Sequence, residues 1–249
     1  MCHQLGLVSV SFRKHTPEQI LQAMQQAGLG FIEWGSDVHA PCQDGQRLQE
    51  LVALQNRYGI RCCSYGTYFR LGTDSVEELP QYIQAAAVLG TKILRLWCGS
   101  KNSQDYTPQE RDALFAQCVA AARIAEAHDV VFCMECHNNT YTNCKEGALE
   151  LMQAVDSPHF RMYWQPNQYR SVEENMTSAR LLAPYTVNLH VFNWEADKQF
   201  PLAEAVPVWR AYVENFPGTH ALLLEFMPDG RIESLQTEAA SLKQLEETK

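Results

Sequence analysis

The sequence predicts an α/β fold, a single-domain (β/α)8 TIM barrel over residues 1–249. Short apolar runs alternate eight times with longer stretches of helical period. Such alternation means parallel strands joined by helical crossovers. Eight units in 249 residues is the size at which they close into a barrel. A doubly wound open sheet is the alternative, but no G-x-G-x-x-G follows the first strand, which weakens any dinucleotide reading. No linker or low-complexity tract divides the chain.

Taken in order, strand one is expected over 5–10. Thr16 then caps a helix with Pro17 at its first position, and Gly28 ends it. Strand two covers 29–34, followed by the loop Gly35-Ser36-Asp37-Val38-His39-Ala40-Pro41 and a helix over 46–58 that stops at Gly59. Strand three covers 60–65, and the polar-aromatic stretch 66–72 reads as a loop. Ser75 with Glu78 forms a capping-box pattern for a helix that tolerates Pro80 in its first turns and closes at Gly90. Strand four is 92–97, and Thr107-Pro108 opens a long helix to His128. Strand five is 130–135, with a helix over 145–155 behind it. Strand six, 160–164, ends in Gln165-Pro166-Asn167 and leads to a helix over 172–183. Strand seven, 187–192, contains His190; its helix, 202–215, carries Pro207, which predicts a kink or a late start. Strand eight, 221–226, carries Glu225 near its end, and a last helix spans 232–245.

Hydrophobic residues make up 46% of the chain, enough for a substantial core. The net charge of −9, from 29 acidic and 20 basic residues, disfavours nucleic acid or an anionic membrane as partner. No apolar run approaches the roughly 20 residues of a membrane helix. The start, Met1-Cys2-His3-Gln4-Leu5-Gly6, lacks the basic segment and apolar run of a signal peptide, so a cytoplasmic protein is expected. Nine cysteines, an odd number, are most simply free thiols in a reducing compartment. Cys133 and Cys136 form a C-x-x-C pair, but residues three apart on a strand face opposite ways. A zinc knuckle with His137 and Cys144 would need a second such pair, which is absent from the sequence.

Chemistry is expected at the C-terminal ends of the strands. The fifth strand is apolar until Glu135, and an ionised carboxylate there is costly unless something receives it. Glu135, Gln165, His190 and Glu225 occupy the ends of strands five to eight, and all are oxygen or nitrogen donors suited to Mn²⁺, Mg²⁺ or Zn²⁺. Strand parity aims Glu135 with Cys133, and Glu225 with Ala221 and Leu223, toward the barrel axis; Leu222, Leu224 and Phe226 then face the helices. Each residue also has a plainer role. Glu135 and Glu225 would pair with Arg95 or Lys101, His190 would be a hydrogen-bonded core residue, and Gln165 would cap a turn before Pro166. Trp34, Tyr68, Trp97, Trp164 and Trp194 suit either a pocket wall or the core.

The motifs Ile32-Glu33-Trp34-Gly35-Ser36-Asp37-Val38-His39, Tyr65-Gly66-Thr67-Tyr68-Phe69-Arg70-Leu71-Gly72, Glu135-Cys136-His137 and Tyr163-Trp164-Gln165-Pro166-Asn167, with donor separations of 30, 25 and 35 residues, resemble those of the xylose-isomerase-like sugar phosphate isomerase/epimerase superfamily. The resemblance spans nearly the whole chain. It implies a divalent metal (Mn²⁺ first, with Mg²⁺, Co²⁺ or Zn²⁺ as alternatives) held by Glu135, Gln165, His190 and Glu225. Glu135 and Glu225 would exchange protons with a sugar or polyol carbonyl substrate through an ene-diolate. His39, Tyr65, Arg95, His137 and Asn167 would contact that substrate, and the chain would form a homodimer or homotetramer. The family usually has Asp where this chain has Gln165, so weaker metal binding is expected. A polyol dehydratase or lyase on the same barrel, an endonuclease of the superfamily, and a non-catalytic sugar-binding relative are the competing readings. The endonuclease needs more histidines and a basic groove than this acidic chain offers.

Overall fold

The structure is a computed structural model and describes residues 3–246. The strands are β1 (Gln4–Val8), β2 (Phe31–Gly35), β3 (Arg61–Leu71), β4 (Ile93–Cys98), β5 (Val131–Glu135), β6 (Phe160–Trp164), β7 (Thr186–Val191), a small hairpin β8 (Trp194–Glu195) and β9 (Lys198–Gln199), and β10 (Ala221–Leu224). Between them run α1 (Pro17–Ala27), α2 (Gly45–Tyr58), α3 (Leu79–Leu89), α4 (Pro108–Ala127), α5 (Lys145–Val155), α6 (Val172–Leu182) and α7 (Leu202–Val213), with α8 (Leu235–Lys243) last. Eight parallel strands close in the order β1-β10-β7-β6-β5-β4-β3-β2, the TIM barrel fold that the alternation predicts.

Local chemistry sets the helix ends. Thr16, Thr107 and Ser171 each accept from the backbone N–H three residues on, and the Gln19, Glu110 or Glu174 side chain returns the bond. Gly28 stops α1 at φ 68°, a left-handed turn that glycine adopts without strain. Ser75 departs from its expectation. Its hydroxyl accepts from Glu77, and a short 3-10 turn, Val76–Glu78, precedes α3. Helix α7 runs through Pro207.

The two-residue strand period sorts the core into layers. Val8, Val10, Cys133, Tyr163, Ala221 and Leu223 pack inside the barrel. Phe132, Met134, Leu222 and Leu224 pack outward with the helices. Cys133 thus sits within the barrel, and the eight described cysteines are all free; Cys2 lies outside the described residues.

Two expectations need correcting, and one element went unread. Strand β3 does not stop at Tyr65 but continues to Leu71, breaking register with β4 between Gly66 and Arg70. A Cβ on Gly66 would lie 2.5 Å from Glu33 Oε1, so glycine lets the strand pass a buried side chain. The hairpin β8-β9 has only two residues per strand, too short for apolar periodicity to reveal. Phe226 does not face the helices: β10 ends at Leu224, Phe226 turns to φ 60°, and its ring packs against the interior cluster. Among the described residues, no helix is long and apolar enough to cross a membrane.

Candidate metal centre and catalytic site

The site lies where β5, β6, β7 and β10 end. Glu135 is the last residue of β5 and is 2% exposed. Its Oε2 accepts from the Arg95 guanidinium and from Trp97 Nε1, while Oε1 stands 3.3 Å from His190 Nδ1. One carboxylate oxygen is therefore fixed, and the other is turned to the imidazole. His190, on β7, is fully buried. Its Nδ1 also faces Gln165 Oε1 at 2.9 Å and Glu225 Oε2 at 3.5 Å. Glu225 follows β10 directly and is tied to the end of β7 through its backbone N–H, which donates to the Val191 carbonyl at 3.0 Å. Of the four donors read from strand ends five to eight, Glu135, Gln165 and Glu225 thus gather around one nitrogen of the fourth, His190.

Glu135, His190 and Glu225 each present one ligand atom, and these atoms lie within 4.8 Å of one another. A cation with bonds of about 2.0–2.2 Å spaces its ligands up to roughly 4.4 Å, and the distances of 2.9, 3.3 and 3.5 Å from His190 Nδ1 to Gln165, Glu135 and Glu225 fall inside that span. The donor set of carboxylate, imidazole and amide oxygen also suits a hard or borderline divalent ion. The residues present therefore fit a metal. Among the described residues no Cys-containing cluster does, which leaves the zinc knuckle without support.

Beneath this rim lies a buried charge network. Arg95, on β4 and 2% exposed, donates from Nε to Glu33 Oε1 at 2.8 Å and from a terminal nitrogen to Glu135. Glu33, on β2 and fully buried, accepts from Ser64 Oγ at 2.5 Å. Ser64 in turn meets the Tyr163 hydroxyl at 2.8 Å, which accepts from Asn188 Nδ2 at 3.0 Å. Burial alone would push the Glu33 carboxyl up, but Arg95 and then His190 overcome it and hold it at about 2. Glu135 shows the same contest and the same downward result, with Arg95 dominating. Glu225 goes the other way: burial raises it and the Glu135 charge adds to the rise, against the opposing pull of His190 and Arg95. Burial would lower His190, yet Glu225 and Glu33 bring it up to about 10. Two neighbouring carboxylates are thus driven in opposite directions, the usual mark of an acid and base pair.

Above the donors opens a cavity of about 590 Å³. Glu135, Gln165 and Glu225 reach it, and eight carboxamide side chains, among them Asn102, Asn138 and Asn167, supply most of its polar lining. Phe192, Trp194 and Phe226 form an aromatic wall. His137 lines it too, stacked on Trp97 with ring centroids 5.1 Å apart, and Asn167 Nδ2 donates to Asn138 Oδ1 at 2.8 Å.

Other residues read as substrate contacts stand elsewhere. His39 is fully buried, its ring nitrogens 3.1 Å from Ser9 Oγ and 3.2 Å from the His15 carbonyl. Tyr65 points outward and donates to the Ala40 carbonyl at 2.6 Å. Neither lines the cavity; both brace the loop after β2. Arg95 is also absent from the lining and serves as the counter-ion of Glu33 and Glu135, the pairing that the plainer reading of Glu135 foresaw. Lys101 pairs instead with Glu110 at 2.8 Å. Trp34 and Trp164 belong to the outer core, donating to Gln55 and Ser178. Glu33 was missed as a site residue, although its signal was the one used for Glu135: a lone carboxylate in an apolar strand.

Comparison with known proteins agrees with this architecture. The family model described as "xylose isomerase-like TIM barrel" matches residues 21–223. A curated relative, the 3-dehydroshikimate dehydratase of Bacillus anthracis, is 27% identical over 88 residues, 35% of this chain and 31% of that protein, so the match spans under a third of the relative's length. Among solved structures, the probable 3-DHS dehydratase AsbF of B. anthracis aligns with a TM-score of 0.82 at 18% identity, covering 97% of this chain and 99% of that one. D-psicose 3-epimerase of Clostridium cellulolyticum H10, solved with D-tagatose, aligns at 0.70 and 14% identity, covering 96% and 97%. An IOLI protein with a bound zinc atom aligns at 0.75 and 13%, covering 97% and 96%. With most of its length matched by one family model, the chain belongs to the xylose isomerase-like TIM barrel family.

Proposed function

We propose that the protein is a divalent-metal-dependent isomerase or epimerase that moves a proton beside the carbonyl of an uncharged, polyhydroxylated substrate. The observation that carries this reading is the pair Glu135 and Glu225, both facing His190 Nδ1, at 3.3 and 3.5 Å, with their carboxyl pKa values displaced in opposite directions. Glu135, Gln165, His190 and Glu225 would hold the ion, with Mn²⁺ first and Mg²⁺, Co²⁺ or Zn²⁺ as alternatives. Bound there, the ion would polarise the substrate's carbonyl and hydroxyl oxygens.

The protein's own groups supply the rest. Glu135, kept ionised by Arg95 and oriented by Trp97, is the base that takes the proton from carbon. Glu225, whose protonated form is favoured by burial, returns a proton to the opposite face or the adjacent carbon. His137 and Asn167 present hydrogen-bonding groups to substrate hydroxyls, and Trp194 offers an apolar face. Carboxamides both donate and accept, which matches hydroxyl groups. Arg170 is the one Lys or Arg side chain among the described lining residues, and it lies 3.5 Å from Glu174. This lining favours an uncharged substrate over a phosphorylated one.

A second reading, dehydration of a cyclic polyol, is favoured by the similarity to 3-dehydroshikimate dehydratase. It shares the first proton abstraction, after which Glu225 would protonate the departing hydroxyl. Incubating the Mn²⁺-loaded protein in D₂O with ketohexoses, and separately with 3-dehydroshikimate, distinguishes the two by NMR and mass. Deuterium at the carbon beside the carbonyl with an epimeric or isomeric sugar supports the first. A product lighter by one water supports the second. Glu225→Gln should lower exchange by about 10²–10⁴-fold with the fold retained; exchange at the wild-type rate would remove Glu225 from the mechanism.

A further inference from the structure

We propose that Glu33 is a positioning residue for the metal centre, fixing His190 so that Nδ1 is free to ligate while Nε2 keeps its hydrogen. This rests on the metal-dependent reading above. Nothing in the strand-end pattern requires it, because Glu33 comes from β2, three strands round the closed barrel from β7.

Two observations carry it. First, the two imidazole nitrogens have different surroundings. Nδ1 faces Gln165, Glu135 and Glu225, the groups that would share the ion, whereas Nε2 is buried with no hydrogen-bond partner and its nearest carboxylate oxygen is Glu33 Oε1 at 3.6 Å. An N–H buried without an acceptor is costly, and a small ring rotation toward Glu33 supplies one. Histidines that bind metals commonly donate their other N–H to a carboxylate in this way, which sets tautomer and ring orientation. Second, Glu33 cannot turn away. Ser64 holds Oε2 and Arg95 Nε holds Oε1, and a Cβ on Gly66 would strike that same oxygen. The chain thus supplies from β2 the third carboxylate that Gln165 does not provide, one layer below the ion rather than in contact with it.

The test measures metal binding directly. Chelator-treated wild type is titrated calorimetrically with Mn²⁺, alongside Glu33→Gln, Glu33→Asp and the control Glu238→Gln. The control removes another buried carboxylate, one that accepts from the Leu202 backbone N–H at 2.8 Å. Glu33→Gln should weaken Mn²⁺ binding by about 10–100-fold. Glu33→Asp should recover part of that loss, and Glu238→Gln should bind as wild type does. An unchanged constant for Glu33→Gln overturns the proposal, as does an equal loss in the control. A wild type that takes up no Mn²⁺ fails differently, removing the metal reading itself. If Glu33→Gln does not fold, ¹⁵N NMR of the wild type loaded with diamagnetic Zn²⁺ decides. Nε2 protonated with Nδ1 on the metal is expected; the reverse assignment overturns the proposal.

Discussion

Arg95 Nε lies 2.8 Å from Glu33 Oε1, and both side chains are almost wholly out of water. A guanidinium in that position needs more than one carboxylate to offset its lost hydration, and its terminal nitrogen on Glu135 supplies the second. Arg95 therefore ties the barrel interior to the rim that carries the candidate site.

Replacing Arg95 with Met should be severe. It leaves Glu33 and Glu135 buried without their cation, a change of about 3–5 kcal/mol in stability by analogy with other broken buried pairs. Urea unfolding would read it as a fall in the midpoint. A loss under 1 kcal/mol would mean that the carboxylates find other compensation.

The metal-free protein should have a stability profile with two shoulders. Glu33 is held at about 2 in the fold against an ordinary 4.5, so its contribution is present above pH 4.5 and fades as pH falls toward 2. His190 is raised from 6.5 to about 10, so its contribution is complete below pH 6.5 and disappears as pH rises toward 10. Melting temperatures measured in chelator should decline on both sides of that interval, and adding Mn²⁺ should flatten the alkaline shoulder, because an ion takes the place of the imidazole proton. A Tm that is flat from pH 6.5 to 10 in chelator would contradict the assignment of His190.

Gln165→Asp should strengthen metal binding. The amide oxygen beside His190 Nδ1 carries no charge, and ligand charge is a principal control on divalent affinity. A gain of roughly tenfold in Mn²⁺ affinity by calorimetry is expected. No gain would place position 165 outside the coordination sphere.

Tyr65→Phe should affect folding and spare activity. Its hydroxyl reaches the Ala40 carbonyl and not the cavity. Losing that bond should cost about 1 kcal/mol, a drop of about 2–4 °C in Tm for a chain of this size. Once a substrate is identified, an unchanged kcat/KM checks the other half. His39→Asn should behave similarly, and a raised KM in either variant would return that residue to the substrate pocket.

Much of the fold was legible because its signals are local. Thr16 and Thr107 announced two helices, and the boundaries 145–155 and 160–164 match α5 and β6. Parity placed Cys133, Ala221 and Leu223 inside the barrel, and the strand ends placed Glu135, Gln165, His190 and Glu225 around one point. What escaped was set across the barrel. His39 and Tyr65 looked like ligand contacts in a linear motif, but the loop after β2 folds back and consumes their hydrogen bonds. Glu33 looked like part of that motif's frame. Only the parallel register, which sets Glu33 beside Ser64 and Gly66 beside Arg95, reveals the charge cluster. Trp194 gains its wall position from a hairpin whose turn residue Ala196 adopts φ 51°, a conformation that alanine does not advertise.

Phe226 has consequences beyond closing one wall. A bulky side chain at φ 60° occupies mirror-image backbone territory, held there by its N–H on Ser11 Oγ at 2.8 Å and by its tilted ring contact with Trp194. Its neighbour in the chain is Glu225. The shape of the chamber and the aim of the Glu225 carboxyl therefore form a single mechanical variable: relaxing residue 226 to ordinary backbone would swing the wall and the carboxyl together, and neither could drift without the other.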